Sequence, residues 1–440
     1  MTSNPAPLTA SPASGDRIPL GIYAESAAAN KINALAAAVA KTAAPVVDFD
    51  QERQRIEQRD RYRLQRAAAA LLDGERVYHC TRSITGWSVD VMQDADTKRA
   101  HYSGIFTCGS RWHCPICAPK ATEKSRRELQ DAITLWTRQG GRVFLASFTF
   151  PHELAMPLAD SVEKMQDAQR RMKASAAYKR IMRAAGALGS VKALEVTYGE
   201  NGWHPHVHML IFARPGAEEQ LEAIRESWAA MVERVGLGRV NEHGFDLRGG
   251  DFAAEYVAKF GKEPGAESRQ VARAWWTAAH ELTKGHAKTG GLRMKGATPF
   301  TLLRWYADDD DAQAGALFAE YGKAFSGKAQ LYWSRGLRQK LDLFATERTR
   351  PELAKPQRVA KLERADWHAV IRNNARWELL NVAERYGAQG VEQLLARLRL
   401  SRGRWRGDFK TSDPLNGRWL PGWWSGPVDP WEAQRTAAAA

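Results

Sequence analysis

The segment Trp203-His-Pro-His-Val-His-Met-Leu-Ile-Phe212 carries three histidines at alternate positions. On a β-strand, alternate side chains share one face. His206 and His208 are therefore expected to point the same way while Val207 enters a core. Two neutral imidazoles so placed can grip one divalent cation. The plainer alternative is a row of exposed histidines on a half-buried strand. A turn, Gly199-Glu-Asn-Gly202, precedes the segment and the strand-like run Val191–Tyr198 precedes the turn. If the hairpin is symmetric, Tyr198 faces Trp203 and Glu195 faces His206. Opposed residues have Cβ atoms about 5 Å apart on one face, so Glu195 becomes a third ligand. It interrupts the apolar run Ala193-Leu-Glu-Val196, where an unpaired charge is costly. By the same count His204 faces Thr197, and Pro205 makes that end irregular, so His204 ranks below the other two. Three ligands leave coordination positions open. Such a centre can polarise a phosphoryl oxygen and orient it for in-line attack. Imidazole suits several transition metals, and carboxylate and water suit Mg²⁺ or Mn²⁺.

A second group is made of sulfur. The chain has four cysteines, and Cys108, Cys114 and Cys117 lie within ten residues of one another. Cys114-Pro-Ile-Cys117 has the two-residue spacing of a zinc knuckle, and Cys80 stands further back. Clustered cysteines in a chain without a signal peptide favour metal over disulfides. A structural Zn²⁺ on Cys80, Cys108, Cys114 and Cys117 is one reading. Another uses the last three cysteines with His113, and reduced thiols in a loop are the third.

A third group is Asp251-Phe-Ala-Ala-Glu-Tyr-Val-Ala-Lys-Phe-Gly-Lys262, expected to be a short helix. Tyr256 and Lys259, three apart, share a helix face. A phenol attacking a phosphodiester makes a covalent phosphotyrosine, and an ammonium beside it offsets the charge. By spacing alone, an amphipathic helix packing Tyr256 and Phe260 in the core is the better account, since a Tyr and a Lys three apart are common in helices.

These residues need elements to hold them. Arg142–Phe150 is β-branched and aromatic and ends at Pro151, which reads as a strand. Ala159–Ala185 reads as a helix. Strands Val191–Tyr198 and Trp203–Phe212 follow, then a helix at Glu218–Val235 and a strand at Arg239–Arg248. The order β-α-β-β-α-β implies an α+β, ferredoxin-like (split βαβ) antiparallel sheet with helices on one face and the other face free for a site. The expected organisation is a disordered segment over 1–50, a basic helix and Cys-rich module over 51–140, the sheet domain with a helical extension over 141–345, and a helical segment with a Trp-rich irregular tail over 346–440. The arginine-rich run from Gln51 to Asp73 reads as a helix with a solvated face.

Net charge is +14 over 440 residues, a balance that favours a polyanionic partner, usually nucleic acid. Between Asp160 and Lys192 eight Lys or Arg stand against three Asp or Glu. Arg170, Arg171, Lys173 and Arg180 are candidate phosphate contacts there, as are Lys288 and Arg293 in a glycine-rich loop. A solvated helix face is the alternative for the first four. No apolar run suits a bilayer, so no membrane is expected and the expected compartment is the cytoplasm.

Three motifs in order carry a resemblance: Phe144-Leu-Ala-Ser-Phe-Thr-Phe-Pro-His152, then His204-Pro-His-Val-His208, then Tyr256-Val-Ala-Lys-Phe260. Together they resemble the HUH endonucleases, in the branch of plasmid and phage rolling-circle replication initiators, over roughly Cys108 to Leu341. The resemblance implies a metal at His206 and His208 with an acidic or polar third ligand. It implies Tyr256 as nucleophile, leaving a 5′-phosphotyrosine and a free 3′-hydroxyl, with Lys259 matching the family's helix lysine. Phage-type relatives carry a second tyrosine four residues on, where this chain has Phe260, so a single-tyrosine enzyme is implied. Asp251 or Glu255 would then activate water or a 3′-hydroxyl at termination. The implied partners are single- and double-stranded DNA at a replication origin, with host helicase and DNA polymerase. A related transposase or relaxase, and a non-enzymatic DNA-binding regulator with a zinc module, are the competing functions.

Overall fold

A computed structural model describes residues 49–249, 296–343 and 355–400. The chain divides into two units, Met1–Gln54 and Arg55–Ala440, and of the first only the start of one helix is described. Helix α1 (Phe49–Leu71) leads into strands β1 (Val89–Gln93) and β2 (Ala100–Ser103), then α2 (Cys117–Arg138). Strand β3 (Arg142–Phe148) is followed by α3 (Leu158–Ala174) and α4 (Ala176–Ala184). The hairpin β4 (Gly189–Gly199) and β5 (Gly202–Ala213) comes next, then α5 (Glu218–Glu222), α6 (Ile224–Arg234) and β6 (Phe245–Arg248). Later come α7 (Pro299–Asp309), α8 (Ala312–Phe325), β7 (Leu331–Trp333) and α9 (Leu337–Lys340). The last described elements are β8 (Gln357–Leu362), α10 (Arg364–Arg372) and α11 (Arg376–Leu400).

The larger sheet has the order β6-β3-β5-β4-β7, and each pairing in it is antiparallel. Because β5 pairs with both β3 and β4, those two run parallel with β5 between them. The expected order β-α-β-β-α-β is observed, with both helices divided. The first divides at Ser175, which leaves helical geometry and whose hydroxyl accepts from the Tyr178 N–H as an N-cap. The second divides at Ala223. The last strand is shorter than expected, because Glu242–Gly244 forms a 3₁₀ turn before β6.

One face of the sheet packs on helices. Phe144, Phe148, Leu194, Val207, Met209 and Ile211 meet Val162 and Met165 of α3 and Trp228 of α6. The spacing of Val162, Met165, Ala168 and Met172 makes one apolar stripe, and all four are fully buried. Burying each large side chain of this kind contributes roughly 1.5–3 kcal/mol.

The opposite face is not wholly free, which corrects the expectation. Val143, Leu145, Val191, Ala193, Leu210 and Phe212 are covered by Leu129 and Ile133 of α2 and by Leu337 and Leu341 around α9. A strand pair with both faces buried reads as a continuous apolar run, so alternation could not reveal this cover. Among the described residues, the turn-proximal part of that face is the part left for a site.

Helix α1 is also corrected. Leu64, Ala67, Ala68 and Leu72 are buried in the same core as Phe318, Tyr321 and Phe325 of α8. Its arginines are tied down in part: Arg55 pairs with Glu384 and Arg63 with Asp308. Strand β8 was not read from the sequence. It pairs with β1 in a three-stranded sheet, β2-β1-β8, backed by Trp367 and Val370 of α10 and Leu379 and Leu380 of α11.

Candidate functional site

The β4–β5 hairpin has the symmetric register: Tyr198 opposes Trp203, Thr197 opposes His204 and Glu195 opposes His206. The turn depends on Gly202, whose φ of +84° favours glycine and whose added Cβ would lie 3.0 Å from Leu154 Cα. His208 opposes Ala193 on one side and Ser147 of β3 on the other. Glu195, His206 and His208 thus converge, with ligand atoms within 4.8 Å of one another. All three are half-buried.

The protonation pattern suits ligation. His206 Nδ1 lies 3.0 Å from the His204 carbonyl oxygen. A carbonyl only accepts, so Nδ1–H donates and Nε2 keeps its lone pair. His208 Nδ1 lies 2.9 Å from Ser147 Oγ, and donation to that hydroxyl leaves the His208 Nε2 lone pair available too. Glu195 Oε2 stands 3.6 Å from His206 Nε2 and 3.9 Å from His208 Nε2. These gaps exceed a good hydrogen bond. They fit three donors sharing one cation at bond lengths of about 2.0–2.2 Å. Burial pulls His206 down from the usual 6.5, but the Glu195 carboxylate outweighs it and the net shift is upward. His208 is shifted down, chiefly by burial, with Glu195 opposing.

His204 turns away from this group. Its Nδ1 lies 3.3 Å from His152 Nδ1, and its ring stacks on His206 with centroids 5.1 Å apart. Burial, and then the charges of His206 and His152, pull it down to about 4. Ser147 and His152 were missed as site residues although both stand in the first motif. The hairpin count fixes the β4–β5 register but says nothing of how β3 pairs with β5, so Ser147 could not be set beside His208.

The four cysteines come together as well. All are buried and none is disulfide-bonded. Cys80 Sγ lies 3.4 Å from Cys117 Sγ and 3.6 Å from Cys114 Sγ. A disulfide needs about 2.05 Å, whereas sulfurs at the corners of a tetrahedron with bonds of about 2.3 Å stand roughly 3.8 Å apart. The Cys108 N–H points at Cys80 Sγ (3.5 Å) and the Ser110 N–H at Cys108 Sγ (3.4 Å). The Cys108 contact, with those of Cys114 and Cys80, holds the Cys117 thiol well below its usual range, and Cys108 and Cys117 push Cys114 well above.

His113 is not part of the cluster. Its Nε2 lies 2.9 Å from the Gly322 carbonyl and its Nδ1 3.4 Å from Glu75 Oε2. It docks the cysteine loop on α8 instead. Trp112 does the same: its indole N–H donates to the Lys328 carbonyl at 2.6 Å and its own carbonyl accepts from Tyr321 at 3.0 Å. On α8, Glu320 accepts from the Trp203 indole at 2.9 Å and from the Leu158 N–H at 3.0 Å. One helix therefore braces both the cysteine loop and the hairpin that carries the histidines.

Arg170, Arg171, Lys173 and Arg180 are not gathered at the histidines. They lie on α3 and α4, in the layer packed on the other face of the sheet. Arg170 and Arg171 both pair with Asp167. They share a shallow surface groove with Lys164, Lys192 and Arg234. Lys173 is half-buried, and burial, then nearby Lys192, pulls it down to about 8. Tyr256, Lys259, Asp251, Glu255, Lys288 and Arg293 lie outside the described residues.

Residues 100–236 match the family model described as "Replication protein". The match takes in β3, β4 and β5 with Ser147, Glu195, His206 and His208, and three of the four cysteines. Within that stretch the chain is similar to the replication-protein family. It is 28% identical to "Protein rep" of Streptomyces lividans over 372 residues, covering 66% of this chain and 77% of that relative. It is 31% identical over 142 residues to "Neomycin resistance protein" of Streptomyces cyanogenus, covering 27% of this chain and 32% of that relative. No solved structure matches. The family match and the relatives support a plasmid replication initiator, as the three motifs implied. Among the described residues, no helix is long and apolar enough to cross a membrane.

Proposed function

We propose that the chain is a rolling-circle replication initiator that binds an origin, nicks one DNA strand and rejoins strands at termination. The observation that carries this is the convergence of Glu195, His206 and His208 as three donors for one cation, within the stretch that matches the replication-protein family model. Their donor set fits Mg²⁺ or Mn²⁺. When bound, the cation supplies Lewis-acid polarisation of the scissile phosphate. Ser147 orients the His208 ring. Tyr256 is the nucleophile: its phenol oxygen bonds to phosphorus, the bond from phosphorus to the 3′ oxygen breaks, and that oxygen takes a proton. The products are a 5′-phosphotyrosine and a 3′-hydroxyl for a host polymerase to extend behind a host helicase. Lys259 offsets the charge on phenolate or phosphate. At termination the 3′-hydroxyl reverses the transfer, with Asp251 or Glu255 as its activating base. The protein acts in the cytoplasm.

The strand order β6-β3-β5-β4 supports a ferredoxin-like, split βαβ core, with β7 added at one edge. The four buried cysteines fit a structural Zn²⁺, with Cys80 rather than His113 as the fourth ligand. Arg170, Arg171, Lys173 and Arg180 would hold duplex DNA away from the nicking face, and Lys288 and Arg293 are further candidate phosphate contacts.

The test uses single-stranded oligonucleotides tiling the replicon that encodes the chain, with Mn²⁺ or a chelator. Nicking that needs the metal and disappears in His206→Ala and His208→Ala supports the enzyme. Tight origin binding without nicking under any metal leaves the regulator. Nicking at transposon ends or a transfer origin, and not at a replication origin, leaves the transposase or relaxase.

A further inference from the structure

The cysteine cluster and helix α11 meet at one buried residue. Arg376 opens α11 and is 3% exposed. Its guanidinium reaches the loop that carries Cys80. Nη1 donates to the Cys80 carbonyl at 3.3 Å and to Thr81 Oγ1 at 2.5 Å. Nη2 donates to Gln65 Oε1 at 2.9 Å. The guanidinium carbon stands 5.2 Å from the Tyr62 ring centroid. Gln65, itself fully buried, donates back to the Cys80 carbonyl at 3.3 Å. Thr81 holds a left-handed φ of 55°, a strained geometry for threonine that these contacts keep in place.

Every one of these partners is neutral. Among the described residues no carboxylate pairs with Arg376. Glu384, on the same helix, is engaged by Arg55 and Arg99. A buried cation without a counter-charge is strongly disfavoured. The cysteines carry the opposite deficit. Four thiolates around one divalent cation form a dianion, and here it is buried. Two backbone N–H groups spread some of that charge but do not cancel it.

We infer that Arg376 is the counter-charge of a dianionic metal tetrathiolate on Cys80, Cys108, Cys114 and Cys117, so that metal binding fastens α11 to the cysteine module. This rests on the zinc reading above. The linkage is reciprocal: a docked Arg376 tightens the metal, and the metal tightens the docking of α11. Strands β1 and β2 follow Cys80 in the chain, and β8 precedes α11. The whole three-stranded sheet is therefore stapled at the cluster.

The full-length protein tests this in two stages. Metal analysis of wild type and Cys114→Ser comes first. Zinc bound by wild type and lost in the variant supports the site, and a zinc-free wild type sinks both the site and the inference. Zinc affinity is then measured by competition with a chromophoric chelator in wild type, Arg376→Gln and Arg376→Lys. We expect the Gln variant to bind zinc about ten-fold or more weakly and Lys to recover much of the loss, the size of effect seen for groups just outside a metal's ligands. Equal affinity in wild type and Arg376→Gln overturns the inference while leaving the zinc site intact. Should Arg376→Gln not fold, hydrogen exchange on wild type decides. Stripping zinc should raise exchange across Arg376–Leu400, and unchanged protection there contradicts the coupling.

Discussion

Among the described residues, two sets of side chains able to ligate a metal come together, and they differ in every respect that matters for chemistry. The sheet site has three donors of two kinds, half-buried, on the end of one sheet face that no described helix covers. The cysteine cluster has four identical donors, all buried, in a loop pinned to α8. An incomplete and reachable set leaves room for a substrate, whereas a complete and enclosed set leaves room for nothing. The same contrast appears in proton chemistry. At the sheet, the His206 bond to a carbonyl leaves Nε2 its lone pair, and His208 keeps one too when its Nδ1–H donates to Ser147. At the cluster, sulfurs hydrogen-bond one another and crowd their own protons. The first arrangement suits a site that acts and the second a site that holds.

The largest effect should come from removing a sheet ligand. His206→Ala and His208→Ala should each reduce nicking to background in a gel assay with Mn²⁺, while the melting temperature moves little. A nicking rate near wild type in either variant removes the sheet site from catalysis. Next in size is Cys114→Ser or zinc removal, which should destabilise the fold because structural metal binding is folding energy. We expect a melting point lower by about 10 °C or more, since each 1 kcal/mol moves a domain of this size by about 2–4 °C. A melting curve unchanged after verified zinc loss would make the cluster an idle one.

Ser147→Ala should cost less. Its hydroxyl fixes the His208 ring without touching a cation, so metal affinity or nicking should fall about 10–100-fold. No change would mean that the strand alone orients the ring. The smallest effect is a titration. In metal-free protein the His206 NMR resonances should titrate above the ordinary 6.5 and those of His208 below it. Because the His206 pKa is raised, its ion pair with Glu195 stabilises the metal-free fold fully below about pH 6.5. That contribution fades as pH rises through the raised value. Glu195→Gln should bring His206 down, and an unmoved His206 would separate the carboxylate from the imidazole.

The two sites were also unequally legible in the sequence. A hairpin with a four-residue turn has a register that can be counted, so the pairing of Glu195 with His206 followed from Gly199–Gly202 alone. The Cys114–Cys117 spacing announced the cluster, but Cys80 lies 34 residues before Cys114, and only packing could decide between it and His113. Ser147 was hidden because β3 and β5 are not joined by a turn. Strand β8 and Arg376 were hidden for a related reason: both act on partners more than 250 residues away in the chain. The helix cover over Val143 and Leu210 left no trace in alternation, since a strand buried on both faces has none. Local periodicity revealed the elements, and long-range pairing determined which of them the site needed.

The proposed reaction stands or falls with strand transfer to Tyr256. The most direct measurement is to incubate the full-length protein with single-stranded origin DNA and Mn²⁺, trap the covalent product, and map the modified peptide by mass spectrometry. The account predicts one nucleotide-bearing residue, Tyr256, with no adduct in Tyr256→Phe. An adduct on another residue, or nicking that persists in Tyr256→Phe, would contradict it.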